Sequence, residues 1–416
     1  MSKIKTLLRN LGPGLLFASM AIGTSHLVLS TKAGAQYGWI MVFPIILANI
    51  LKYPFFEFGV RYTSVTNKTL IEGYLNRGRG YLWFYAGITL LTTFTILAAL
   101  YTVTAGLFIN LFEISNSLIS TVALWLFIAI SGILIVGKYK FLEISLKFVV
   151  SILFMALVIT TFLVIIQGPV THIPNFKPSA IFNDVGVLFL IGLMGWMPTT
   201  VEASSWVSLW SIEKWKSQKK PTLKESLQEF NIGYGITALL AIFFMVIGWF
   251  TLYGTNTQLS DNAVSFADQV VLLFTEHIGS WAYIFIAISA FATMFSTCLT
   301  AHDAITRVSL DILALLNTKS KSYSTKKAFA FGVIFLAAIN YIVITVFSAN
   351  MGKLVALATF VSFIVAPIIG YMNLKNVTSI DLDPKYWPNK NLKLLTYLGI
   401  LFLSCFSLYY FYIVIF

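Results

Sequence analysis

Charge is scarce in this sequence. Of its 416 residues only 11% are Asp, Glu, Lys or Arg, while 58% are hydrophobic; a soluble domain carries about 25% charged residues. That shortage excludes a soluble enzyme, a disordered chain and a nucleic-acid binder. Cysteine is scarcer still. Cys298 and Cys405 both fall in apolar runs and supply neither a disulfide framework nor metal-ligand spacing. HExxH and Gly-x-Ser-x-Gly are also missing, and the one GxxxxGK, Gly132 to Lys138, is followed by Tyr139 where a phosphate loop needs Ser or Thr, so no catalytic centre, nucleotide site or cofactor is expected. Any transport must then be driven by an ion gradient or be passive.

What the chain does have is apolar runs of bilayer-spanning length. They fall at 11–35, 38–60, 81–110, 117–137, 141–167, 180–211, 228–254, 278–303, 328–349, 352–374 and 392–415. The expectation is an all-α polytopic membrane protein of about eleven helices in one transmembrane domain, because strands of a barrel would alternate polar and apolar residues. Most Lys and Arg fall in alternate loops: Lys3, Lys5 and Arg9; Arg61, Lys68, Arg77 and Arg79; Lys138 and Lys140; Lys214 to Lys224; Arg307 to Lys327; Lys375 to Lys393. The positive-inside rule then places the N-terminus inside and the C-terminus outside, in a membrane taken to be prokaryotic and cytoplasmic. The net charge of +12 becomes a topology signal that needs no polyanionic partner. The basic start reads as a cytoplasmic end, not a cleaved signal peptide.

Two spans are interrupted. The first carries Gly23-Thr24-Ser25-His26 at its centre, and the sixth carries Gly195-Trp196-Met197-Pro198-Thr199-Thr200. Gly and Pro at mid-span, followed by hydroxyl residues able to cap a new helix, predict helices that stop and restart. The breaks open two successive five-span blocks, about 11–167 and 180–374, with an extra helix at 392–415. Five is odd, so the second block is inverted, which is the pattern of a transporter with its site between two discontinuous helices.

GPGLLFASMAIG, KAGAQYGW, LANILKYPFFEFGVRYTSVTNKTL and Met197-Pro198 resemble the NRAMP family of divalent-metal transporters, most strongly over residues 12–70. The resemblance implies a LeuT-type 5+5 inverted repeat with broken helices 1 and 6. It also implies proton-coupled carriage of manganese, iron or similar ions. The family's Asp-Pro-Gly-Asn motif corresponds here to Gly23-Thr24-Ser25-His26, and its Met-Pro-His to Met197-Pro198-Thr199. A further family histidine falls at Ser204, and acidic positions of the third helix fall at Ala98 and Tyr101.

With the aspartate replaced, the pocket is expected to expose donors: helix starts near Ser25 and Thr199, the hydroxyls of Thr24, Ser25, Thr199 and Thr200, and an N–H of His26. That set favours a small anion such as bicarbonate, moved with Na⁺ or H⁺ by alternating access. The rivals are a divalent-metal carrier (Mn, Fe or Mg) using His26 and Met197, and a membrane sensor that does not transport. Glu202 reads either as the end of a Thr199–Glu202 capping box or as a coupling-ion contact. Ser296, Thr297 and Thr300 are further coupling-ion candidates, against a packing role. Trp196 is a candidate gate. His302 and Asp303 read as an ion exit route or as solvated at the interface. Lys52 and Glu57 read as pairing with each other or with neighbours, and Lys32 as snorkelling outward.

Overall fold

A computed structural model describes residues 13–137, 154–174, 176–216, 218–255, 257–317, 325–347 and 350–415. Lys3, Lys5, Arg9, Lys138, Lys140, Lys319, Lys321 and positions 141–153 of the fifth expected span lie outside the described residues. Among the described residues there is no strand.

The helices run in chain order as α1 (Pro13–Ala21), a π-helical turn (Ser25–Ser30) continuing into α2 (Thr31–Tyr37), α3 (Val42–Thr66), α4 (Leu70–Arg77), α5 (Arg79–Leu111) and α6 (Ile119–Val136). They continue as α7 (Phe154–Gln167), α8 (Asp184–Trp196), α9 (Ala203–Trp215), α10 (Leu223–Leu252), α11 (Ala263–Ile278), α12 (Tyr283–Leu316), α13 (Lys326–Val346), α14 (Met351–Val377) and α15 (Lys390–Ile415). Each expected span has a helix or a pair of helices within it. By length and composition, 8 stretches among the described residues are able to cross a membrane, and one of them, Ser25–Thr66, joins the end of the first expected span to the second. Interruption makes the sixth span too short to qualify as one helix.

Two helices fall where loops were expected. α4 begins with a capping box, Thr69 with Glu72, and α11 is capped by Asn262; such polar starts nucleate helices without an apolar run. α10 likewise begins with the box Thr222–Glu225.

α5 lies at the centre, packed on α6, α11, α12, α13 and α14, while α10 packs along both halves of the first broken span. Close approach there depends on glycine. A Cβ on Gly34 of α2 would stand 1.9 Å from the Met245 carbonyl oxygen, and one on Gly248 of α10 would stand 2.2 Å from the Thr31 carbonyl oxygen. Small residues let membrane helices meet backbone to backbone. The outer surface carries large apolar side chains such as Trp83, Leu91, Trp125, Phe285 and Phe331, as a lipid-facing wall requires.

Ionic contacts tie segments at the two ends of the helices. Arg61 holds Glu57 one turn away and donates to the Tyr386 carbonyl at 2.8 Å. Arg307 holds Asp303 at 2.8 Å. Lys32 is not a free snorkelling cation: its Nζ meets Asp261, before α11, at 2.6 Å.

Candidate transport site

Both expected breaks are present. α1 stops at Ala21 and the chain resumes at Ser25 as a π-helical turn, a feature that often marks functional sites. α8 stops at Trp196 and α9 starts at Ala203. The two breaks touch, since Ser25 Oγ lies 3.2 Å from the Pro198 carbonyl oxygen. The peptide bond Met197–Pro198 is cis.

Between them lies a cavity lined by Thr24, Ser25, Trp196, Thr199 and Thr200 from the breaks and by Thr297 of α12, with Ile96, Leu100 and Trp206 among its apolar walls. It offers about 20 Å³ to the centre of a water-sized guest, enough for one water or a bare ion.

Several sequence expectations change here. His26 has no free ligand atom: Nε2 donates to the Thr237 carbonyl at 2.9 Å, which leaves Nδ1 to accept from Ser25 Oγ at 2.8 Å. Met197 is buried but does not line the cavity. Gly23 is a packing position, because a Cβ there would stand 2.7 Å from Thr297 Cγ2. Trp196 lines the cavity, and its Nε1 donates to Ser362 of α14 at 2.9 Å. Among the described residues no group of three or more His, Cys, Asp or Glu comes together as a metal cluster.

The donor-rich pocket is also not what the chain builds. The amides of His26 and Leu27 bond to the Gly23 carbonyl, and those of Ala203, Ser204 and Ser205 bond to the carbonyls three residues back. These helix-start donors are spent within the breaks, so an anion finds fewer of them than expected. No capping box forms at Thr199–Glu202: the helix starts later, at Ala203, and Glu202 makes no side-chain cap. Instead Thr200 Oγ1 donates to Glu202 Oε2, while the buried Glu202 Oε1 has no hydrogen-bond partner. Thr24 Oγ1 is buried and unpartnered as well.

Of the two readings of Lys52 and Glu57, pairing with each other fails and pairing with a neighbour holds for Glu57. Glu57 is taken by Arg61, and Lys52, fully buried, reaches into the second break. Its Nζ donates to the carbonyls of Met194 (3.1 Å), Gly195 (2.9 Å) and Thr199 (3.0 Å). Five residues is not helical spacing, and that mismatch was the one signal that Lys52 serves a partner elsewhere in the chain.

The α12 hydroxyls face α1. Thr297 Oγ1 lies 3.1 Å from the Ser19 carbonyl oxygen, 3.5 Å from that of Ile22 and 3.0 Å from that of Thr293. Ser296 Oγ donates to Thr293 at 2.7 Å and lies 3.4 Å from Ser19 Oγ. Thr300 turns away, donating to carbonyls of its own helix at Ser296 and Thr297. His302 and Asp303 are buried, not solvated. His302 sits between Tyr101 Oη (2.8 Å) and the Val333 carbonyl (3.0 Å), because α12 runs on to Leu316 and carries them inside. Ser204 accepts from Asn373 at 2.9 Å.

Two touching broken helices inside an all-helical, lipid-faced body define an integral membrane transporter fold. The chain matches the family "Natural resistance-associated macrophage protein-like" over residues 14–412 and belongs to it. It is 30% identical over 400 residues to the uncharacterized protein PM0681 of Pasteurella multocida, covering 96% of this chain and 90% of that one. Over 264 residues it is 27% identical to the divalent metal cation transporter MntH of Staphylococcus saprophyticus, covering 60% of this chain and 57% of the relative. Crystal structures of the Eremococcus coleocola manganese transporter share the fold with a TM-score of 0.71 at 14% identity, over 98% of this chain and 87% of that one. A nucleobase-cation-symport-1 family transporter in a closed conformation matches with a TM-score of 0.58 at 13% identity, over 96% of this chain and 91% of that one.

Proposed function

We propose that this chain is a secondary carrier of a small divalent metal ion, bound by oxygen atoms where the two breaks meet and moved with Na⁺ or H⁺. One observation carries the reading: the breaks spend helix-start donors internally and leave the hydroxyl-bearing residues Thr24, Ser25, Thr199 and Thr200 lining an ion-sized cavity. Hard cations take such oxygen ligands, carboxylates above all. Glu202, whose Oε1 is unpartnered and whose Oε2 is bonded to the lining residue Thr200, is the carboxylate closest to that role. Thr24, Thr199 and Thr200 add hydroxyls. The family and the MntH relatives support a metal cargo over bicarbonate.

Na⁺ as coupling ion has a fitting place among the carbonyls of Ser19, Ile22 and Thr293 and the hydroxyls of Ser296 and Thr297. The N-terminus faces the cytoplasm in this reading, by the positive-inside rule.

Purified protein in liposomes tests the proposal. Uptake of Mn²⁺ and Mg²⁺ is compared with uptake of labelled bicarbonate under imposed Na⁺ and H⁺ gradients. Saturable dication uptake that rises with one gradient is expected. Bicarbonate uptake without dication uptake would restore the anion reading, and flux of neither would point to a sensor.

A further inference from the structure

The last carbonyls of a helix lack intrahelical partners and carry the negative end of its dipole. In α8 two of these, at Met194 and Gly195, point together with the Thr199 carbonyl at one atom, Nζ of Lys52. An ammonium has three N–H donors and no acceptor. Here each donor has one carbonyl, and the side chain is fully buried. A neutral amine has only two N–H bonds and would leave one of the three oxygens facing a lone pair. Glu202 acts on Lys52 electrostatically and is itself buried. A buried charge of this kind persists only when it is paired and fully hydrogen-bonded.

We infer that the three carbonyls at the α8 break form a cation site whose occupant is supplied by the protein itself, the Lys52 ammonium on α3. The tethered cation keeps free ions out of this cage. It holds α3 to the end of α8 and leaves the Thr24–Thr200 cavity as the place for a permeating ion. It also offsets the charge of Glu202, so selectivity for dications depends on how far Lys52 compensates it.

The inference stands apart from the proposed cargo, because its test needs no transport. Full-length wild type and Lys52→Ala are melted in detergent at fixed ionic strength, in choline chloride or methylammonium chloride. Methylammonium reproduces the missing group, and choline is too large for the cage. Lys52→Ala is expected to melt lower than wild type in choline and to regain about 2–4 °C or more in methylammonium. Wild type is expected to show no difference between the two salts. A variant indifferent to methylammonium, or a wild type that responds equally, overturns the inference. If Lys52→Ala yields folded protein only when purified with methylammonium, the inference is supported. If it folds in neither salt, Lys52→Met decides: it fills the volume without the charge. A Met variant as stable as wild type would show that no cation is needed there, and a destabilised one is the expected result.

Discussion

The hydroxyl of Thr297 on α12 lies 3.1 Å from the carbonyl oxygen of Ser19, in the last turn before α1 breaks off. This contact joins the first broken span to α12 at the level of the cavity. Thr297→Val keeps the shape and removes the hydroxyl. The lost hydrogen bond leaves a buried carbonyl short of a partner, at a cost of about 1–3 kcal/mol. Uptake in liposomes is expected to lose its dependence on external Na⁺, read as a flattened rate-against-Na⁺ curve. An unchanged curve would remove Na⁺ from this site.

Glu202→Gln keeps an acceptor for Thr200 and removes the charge. Dication affinity, read as the half-saturating Mn²⁺ concentration for uptake, is expected to weaken about tenfold, the equivalent of roughly 1.4 kcal/mol. The variant also leaves Lys52 with less compensation, so a lower melting temperature is expected alongside. Mn²⁺ uptake with an unaltered half-saturation would exclude Glu202 as a ligand.

His26→Gln separates a packing histidine from a metal ligand. Both ring nitrogens are already bonded, to Thr237 and Ser25, and Gln can renew one of those bonds. Some loss of stability is expected. The ratio of Mn²⁺ to Mg²⁺ uptake is expected to stay within about twofold, because an oxygen-built site does not depend on imidazole. A selective loss of Mn²⁺ would return His26 to the ligand set.

Gly34→Ala places a methyl 1.9 Å from the Met245 carbonyl oxygen, and backbone on both sides cannot yield. The yield of monodisperse protein is expected to fall sharply, as overpacking costs about 1–3 kcal/mol or more. Gly235→Ala, with nothing within 4 Å, is the control and is expected to behave as wild type or better, since Ala favours helix over Gly.

The helical spans and the two breaks were legible because each follows from local chemistry. Twenty apolar residues must satisfy their backbone internally, and Gly or Pro at mid-run interrupts a helix wherever it sits. Of the substrate-site residues expected from the paired breaks, Thr24, Ser25, Thr199 and Thr200 line one cavity with the gate candidate Trp196, while Gly23, His26 and Met197 do not; Thr297, expected as a coupling-ion contact, lines the same cavity. The chemistry of that cavity was misjudged. Restarting helices suggested free N–H groups, yet the amides of Ala203, Ser204 and Ser205 turn back to the carbonyls of residues 200–202. Whether a helix begins with open donors or closes them in a tight turn depends on backbone path, and residue type does not reveal it.

Composition and hydrophobic run length alone therefore establish a helical membrane body with two interrupted spans, since both depend on residues adjacent in the chain. Lys52 shows what they cannot reach. Its carbonyl partners stand more than 140 positions away, at separations of 142, 143 and 147. Only the packing of α3 against the end of α8 brings ammonium and carbonyls together. Which buried charge those carbonyls receive is decided by that contact, because electrostatic pairing belongs to atoms gathered in space.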